Sequence, residues 1–186
     1  METKSIKMKT VKAIFIFIVV LYGALVNHVA NAQEIGTLNK EAMGKLSNWI
    51  GQWKGEGWSM DETQQKSEFT VVENIQRKIG GMAILAEGVG TNKSDGKVGF
   101  QSLGVLYYNN EKKQYEMKSL LADGNMALTA AQLNDKGQFI WGFDVPGGSI
   151  QYTTTLKEDT WHELGEFVMA SGQAFTILEM NLTKIK

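Results

Sequence analysis

The sequence predicts an all-β protein, an antiparallel up-and-down β-barrel of about nine or ten strands with a short N-terminal helix. Three observations carry the prediction. Turn signals recur about every ten residues, from Gly80-Gly81 through Ser94-Asp95-Gly96, Asn109-Asn110, Asp123-Gly124, Asp135-Lys136-Gly137, Pro146-Gly147-Gly148 and Glu158-Asp159 to Ser171-Gly172. The runs between them are rich in β-branched and aromatic residues. Only one stretch, Gln33 to Asn48, has apolar residues at helical spacing.

The chain opens with Lys4, Lys7, Lys9 and Lys12, an apolar run from Ala13 to Leu25, and Ala30-Asn31-Ala32. That order is a secretory signal peptide over residues 1–32, with cleavage after Ala32, and the expectation is a secreted or periplasmic protein. The run is too short for a comfortable membrane span, and no later segment is long enough to be one. Residues 33–186 then form one domain of ordinary size. Losing four Lys and Glu2 leaves 15 basic and 19 acidic residues, a charge of about −4. A mildly acidic domain without a basic patch is a poor partner for nucleic acid. There is no Cys, which removes disulfides, thiolate chemistry and a lipid anchor on sulfur together. His28 leaves with the signal, so His162 is the single His of the mature chain and a multi-His metal site within one subunit is excluded.

In the helical stretch Asn39 is placed to cap, and Leu38, Met43, Leu46 and Ile50 recur at helical spacing. A short lid over one barrel end is expected. The first strand is Ile50 to Trp58, where Trp and Gly alternate so that one face carries bulky rings while the backbone curls. Turn chemistry sets the later registers. A Gly80-Gly81 turn pairs Arg77 with Ile84, Ile75 with Ala86 and Glu73 with Gly88. A Gly147-Gly148 turn pairs Phe143 with Tyr152 and Trp141 with Thr154. A Glu158-Asp159 turn pairs Thr154 with Glu163 and Tyr152 with Gly165, and a Ser171-Gly172 turn pairs Phe167 with Thr176 and Glu163 with Met180. One inner row then reads Trp141, Thr154, Glu163, Met180.

These registers set Glu73, Arg77 and Glu163 on faces that are otherwise apolar. An unpaired carboxylate in such a place costs several kcal/mol, so it must find a partner, gain a proton or face a wet cavity. One reading is a polar cluster in a mostly apolar pocket. Arg77 would grip an acidic ligand head, Trp141, Phe143 and Tyr152 would wall its body, and Thr154 and Glu163 would complete the site. The plainer reading is an internal salt bridge, or Glu73 and Arg77 near a solvated barrel mouth. Glu163 is a weak candidate for acid or base work, because burial moves a Glu toward the pKa that such work needs. The sequence holds no nucleophile elbow, phosphate loop or second His to complete an enzyme. His162 falls on the expected outer face.

The pattern Gly51-x-Trp53 resembles the opening motif of lipocalins and their calycin relatives. The resemblance implies that Trp53 plugs the closed end and that Lys184, from the last strand, covers it. Trp53-x-Gly55-x-Gly57 also resembles the start of nitrobindin-type ten-stranded barrels, in which a His near the end of the barrel ligates haem iron. The stretch Ala174 to Lys184 has no His, so haem is not expected. With Tyr107-Tyr108-Asn109 through Tyr115, Ala122-Asp123-Gly124 and Trp161-His162-Glu163-Leu164-Gly165-Glu166, the chain resembles a family of secreted bacterial lipocalin-like proteins known only as a domain of unknown function. The expected function is non-covalent binding of a small, largely apolar or amphipathic molecule in the barrel, with no cofactor. The alternatives are an isomerase- or hydrolase-type enzyme using Glu163, and an envelope interaction or inhibitor module with a packed barrel. The sequence leaves ligand identity and oligomeric state open.

Overall fold

The computed structural model describes residues 36–61 and 63–186. The signal peptide and its cleavage site after Ala32 lie outside the described residues. Residues 36–44 are helical (α1), a 3-10 turn follows at Ser47–Trp49, and the contact unit that holds the barrel begins at Asn39.

Ten strands follow: β1 (Gly51–Met60), β2 (Lys66–Lys78), β3 (Ala83–Asn92), β4 (Val98–Asn109), β5 (Gln114–Leu121), β6 (Met126–Leu133), β7 (Gln138–Val145), β8 (Gly148–Lys157), β9 (Thr160–Met169) and β10 (Ala174–Lys184). Each pairs antiparallel with the next, and β1 pairs with β10 to close the barrel, with Trp53 opposite Lys184 and Gly57 opposite Met180. Closure leaves no free sheet edge at the two chain ends. The C-terminus extends the seam, since Gln52 N donates to Lys186 O at 2.9 Å and Ile185 N to Gln52 O at 2.8 Å.

Two registers fall as the turn residues predict. Glu73 lies opposite Gly88 and Arg77 opposite Ile84, while Thr154 lies opposite Glu163 and Tyr152 opposite Gly165. Between β7 and β8 the turn is one residue earlier than expected. Val145 pairs with Gly148, so Pro146 and Gly147 form the turn, Phe143 meets Ile150, Trp141 meets Tyr152 and Phe139 meets Thr154. Proline's fixed φ suits the first central position of such a turn, and Gly147, at φ +88°, supplies the positive φ of the second. Partners therefore shift by two residues and every side chain keeps its face. A bulge in β10 puts Phe175, not Thr176, opposite Phe167, and beyond it Glu163 meets Met180 as expected. The inner row is Phe139, Thr154, Glu163, Met180.

The core is centred at the helix end and continues along the inner face through Val71, Phe69 and Met180. Met43, Leu46 and Trp49 descend onto Trp53, Ile75, Ile84, Leu106, Tyr115, Phe139, Trp161 and Leu182, and all are buried. Trp49 meets Phe139 and Trp161 with ring centroids 5.0 and 4.9 Å apart, and Trp53 meets Trp161 at 5.6 Å. Trp53 is fully buried, with its Nε1 donating to Trp49 O at 2.9 Å. Lys184 Nζ stands 5.1 Å from the centre of the Trp53 ring and donates to Asn48 O at 3.1 Å. Asn39 does not cap a helix. It sits inside α1, is buried, and its Nδ2 donates to Tyr108 O at 2.8 Å, which ties the helix to β4. Tyr115 Oη makes a second tie to Ala42 O at 2.7 Å.

Candidate functional site

Strand alternation sends Glu73, Ser102, Met117, Trp141, Tyr152, Glu163 and Leu178 to the inner face of the barrel, one layer above the plug. All seven are half-buried, whereas the plug residues Trp53, Ile75, Ile84 and Phe139 are at most 1% exposed. An inner-face side chain in a closed barrel keeps open surface only by facing space inside the wall or at a barrel mouth. The barrel is therefore filled at the helix end, and above it these residues border open inner space beside the buried Val71, Phe69 and Met180.

Glycines shape this lumen where a Cβ would collide. At Gly88 it would lie 2.5 Å from Glu73 Oε1 and 2.7 Å from Ser102 Oγ, so the missing side chain is what lets the Glu73 carboxyl lie along β3. At Gly165 it would lie 2.9 Å from the Tyr152 ring, as the sequence register suggests. Tyr152 in turn stacks on Trp141, ring centroids 4.2 Å apart and planes 16° from parallel, which gives the lumen a flat aromatic wall.

Two carboxyl groups face the space. Glu163 Oε2 accepts a hydrogen bond from the buried Thr154 Oγ1 at 2.7 Å. Burial pushes the Glu163 pKa up, against the opposing pull of the Thr154 hydrogen bond, the Trp161 indole N–H and the charge of His162. The Trp161 Nε1–H is buried with no hydrogen-bond partner. Glu73 makes no hydrogen bond or ion pair among the described residues. Burial first and the neighbouring Glu163 second push its pKa up to about 8. Tyr152 is pushed up to about 12 by burial and then by the same Glu163 charge.

The wall opens on one side. β6 and β7 share only three pairs, Ala131 with Trp141, Gln132 with Ile140 and Leu133 with Phe139, and then diverge. A cleft of about 750 Å³ follows the divergence, lined by inner-face residues such as Tyr115, Ala131, Trp141, Phe143 and Ile150 and by outer-face residues such as Gln132, Ile140 and Gln151. Lining from both faces makes it a lateral slot in the barrel. Trp141 belongs both to this slot and to the aromatic wall.

Of the residues singled out from sequence, the fold brings Glu73, Trp141, Tyr152, Thr154 and Glu163 into the hollow layer. Phe143 lies at the slot and is 38% exposed, at the rim and not within. Arg77 stands apart. It is exposed and lies beyond the buried plug residue Ile75, where β2 runs into its turn, with its guanidinium near Gly81. It makes no ion pair with Glu73 among the described residues. Gly51 opens β1, with Trp53 and Lys184 forming the floor already described. His162 is on the outer face, 3.3 Å from Glu179 Oε1. Sequence reasoning missed Gly88, Ser102 and Trp161 as parts of the lumen, and missed the slot. The Gly80-Gly81 turn implies the Glu73–Gly88 pairing; extending it by one strand, across the bulge between Gly90 and Thr91, reaches Ser102.

A second carboxylate cluster is structural. Glu116, on the outer face, accepts from Tyr107 Oη at 2.6 Å, Lys112 Nζ at 2.8 Å and Gln114 Nε2 at 3.3 Å. These surface neighbours cover it so that it is 4% exposed, and the Lys112 and Tyr107 hydrogen bonds lead those that pull its pKa down to about 2. Among the described residues no group of three or more His, Cys, Asp or Glu side chains could hold a metal ion, and no helix is long and apolar enough to cross a membrane.

No protein-family model matches the chain, and no curated protein matches it. Solved structures do. The crystal structure of Rv2717c from M. tuberculosis superimposes with a TM-score of 0.60 at 12% identity, covering 78% of this chain and 98% of that one. The S-type phycobiliprotein lyase CPES from Guillardia theta superimposes with a TM-score of 0.55 at 13% identity, covering 83% and 97%. The likeness at such low identity is one of fold: a ten-strand antiparallel barrel.

Proposed function

We propose that this protein is an exported binding protein that holds a small, largely apolar or amphipathic molecule in the lumen of its barrel. The observation that carries the reading is the contrast between the buried plug around Trp53 and the half-buried group of Glu73, Trp141, Tyr152 and Glu163 above it, walled by the Trp141–Tyr152 stack. A barrel folded only for its own stability gains by filling its interior, since each void forfeits contacts. A mostly apolar chamber with a few convergent polar groups is the usual form of a small-molecule site. The basic start, apolar run and Ala30-Asn31-Ala32 of the sequence support export to the periplasm or beyond.

The test is native mass spectrometry of the protein purified from its own compartment, with a denatured control. The expected result is an added mass that disappears on denaturation. A bare polypeptide mass, together with no change in Trp fluorescence on titration with apolar probes, would overturn the reading.

A further inference from the structure

The charge inside the lumen is one-sided. Along the inner faces of the ten strands the basic side chains are Arg77, exposed beyond the plug, and Lys184, committed to Trp53 and Asn48 O. In the hollow layer the ionisable carboxyls are Glu73 and Glu163, and neither makes an ion pair among the described residues; the charge of His162 acts on Glu163 from the outer face, where its ring lies 3.3 Å from Glu179 Oε1. Donors are nevertheless set for Glu163 as a carboxylate. Thr154 Oγ1 already donates to it, and the Trp161 indole N–H, two residues before it on β9, is 95% buried without a hydrogen-bond partner and favours its ionised form. A buried donor left unpaired is costly, and here it is satisfied best when Glu163 carries its charge. What the site lacks is the counter-cation, and the lumen is where it fits.

We propose that the ligand carries a protonated aliphatic amine on an apolar or aromatic body, its ammonium facing Glu163 with Glu73 as second acceptor and its body against the Trp141–Tyr152 stack. This rests on the lumen being the binding chamber. It reverses the ligand polarity that an inward Arg77 would have given. Without ligand the two carboxyls keep a proton, because burial and their mutual repulsion disfavour a doubly charged pair. Binding of an ammonium makes the ionised pair favourable, so the amine enters charged and a proton leaves to solvent. The N–H⁺···O⁻ contacts so formed are of the stronger, charge-assisted kind.

The test uses three probes of one chain length, octylamine, 1-octanol and octanoate, titrated into the purified protein at neutral pH by calorimetry in buffers of differing ionisation enthalpy. Octylamine should bind about tenfold or more tighter than either other probe and release a proton on binding. Glu163→Gln and Glu73→Gln should each erase that preference and reduce the proton release. Their unfolding transitions, which should not weaken, report that the fold is intact. Octanol or octanoate binding as tightly as octylamine overturns the amine assignment and leaves the lumen as a binding chamber. An amine preference that survives both substitutions also overturns it. No binding of any probe overturns the chamber itself.

Discussion

Glu73 shows how a single buried group couples the lumen to pH. Its pKa in the fold is about 8, against an ordinary value of 4.5, so between these limits the folded state holds a proton that the unfolded chain has released. The contribution of Glu73 to stability then falls as pH rises from about 4.5 to about 8, and that contribution is level outside the window. Glu73→Gln removes this share of the slope. It should stabilise the protein by roughly 2–4 kcal/mol above pH 8 and change little at pH 4, an outcome that urea unfolding across pH would check. Trp53 makes the opposite case. It is fully buried against Trp161 and under Lys184, and Trp53→Ala should cost about 3–5 kcal/mol in the same assay; an unchanged midpoint would reject its role as the plug. Both roles were legible from strand alternation and a motif. Arg77 was not, although the same alternation puts it on the inner face. Alternation tells which side of the sheet a residue faces, and it is silent on how far along the barrel the plug reaches.

The elements differ in how strongly their neighbours hold them. β9 is paired along both sides, by ten pairs with β8 and nine with β10, while β6 has three pairs with β7. Amides in the first half of β6 and in Gly142–Val145 that face the slot therefore lack the ladder that protects β9. Hydrogen exchange should be faster there than in β9, and slowed by any molecule that occupies the cleft; equal protection would mean that the slot is closed in solution. Hairpins with short turns between well-marked strands had readable registers, because Gly80-Gly81 and Glu158-Asp159 each fix one pairing. The β6–β7 divergence left no such mark. Asp135-Lys136-Gly137 signals a turn equally well whether three or eight pairs follow it. Asn39 departs from the expected cap for a related reason: its preference for helix starts is local, and the long-range partner that keeps it buried inside α1, Tyr108 O, lies 69 residues away.

At the scale of the molecule, one seam makes the barrel. Nine of the ten strand pairings join chain neighbours and form as local hairpins, but β1 with β10 joins Trp53 to Lys184 across nearly the whole domain. The sequence hinted at this closure only through the Trp53–Lys184 motif, since loop entropy and pairing over such a distance leave no periodic trace. The same seam carries the plug, for Trp53 and Leu182 stand on its two strands and Trp49, Met43 and Leu46 pack down upon them. The floor and the wall should consequently come apart together. Near-ultraviolet signal from the Trp49–Trp53–Trp161 cluster and far-ultraviolet signal from the strands should trace one urea transition with a single midpoint. Leu182 is 3% exposed and faces the plug from β10; Leu182→Ala should lower that midpoint by about 2–5 kcal/mol in stability while keeping the two signals coincident. Two separated midpoints would mean that the helix-covered end is a unit of its own. The hollow layer of Glu73, Tyr152 and Glu163 could then persist after the plug is lost, and its emptiness would no longer depend on a floor that seals it.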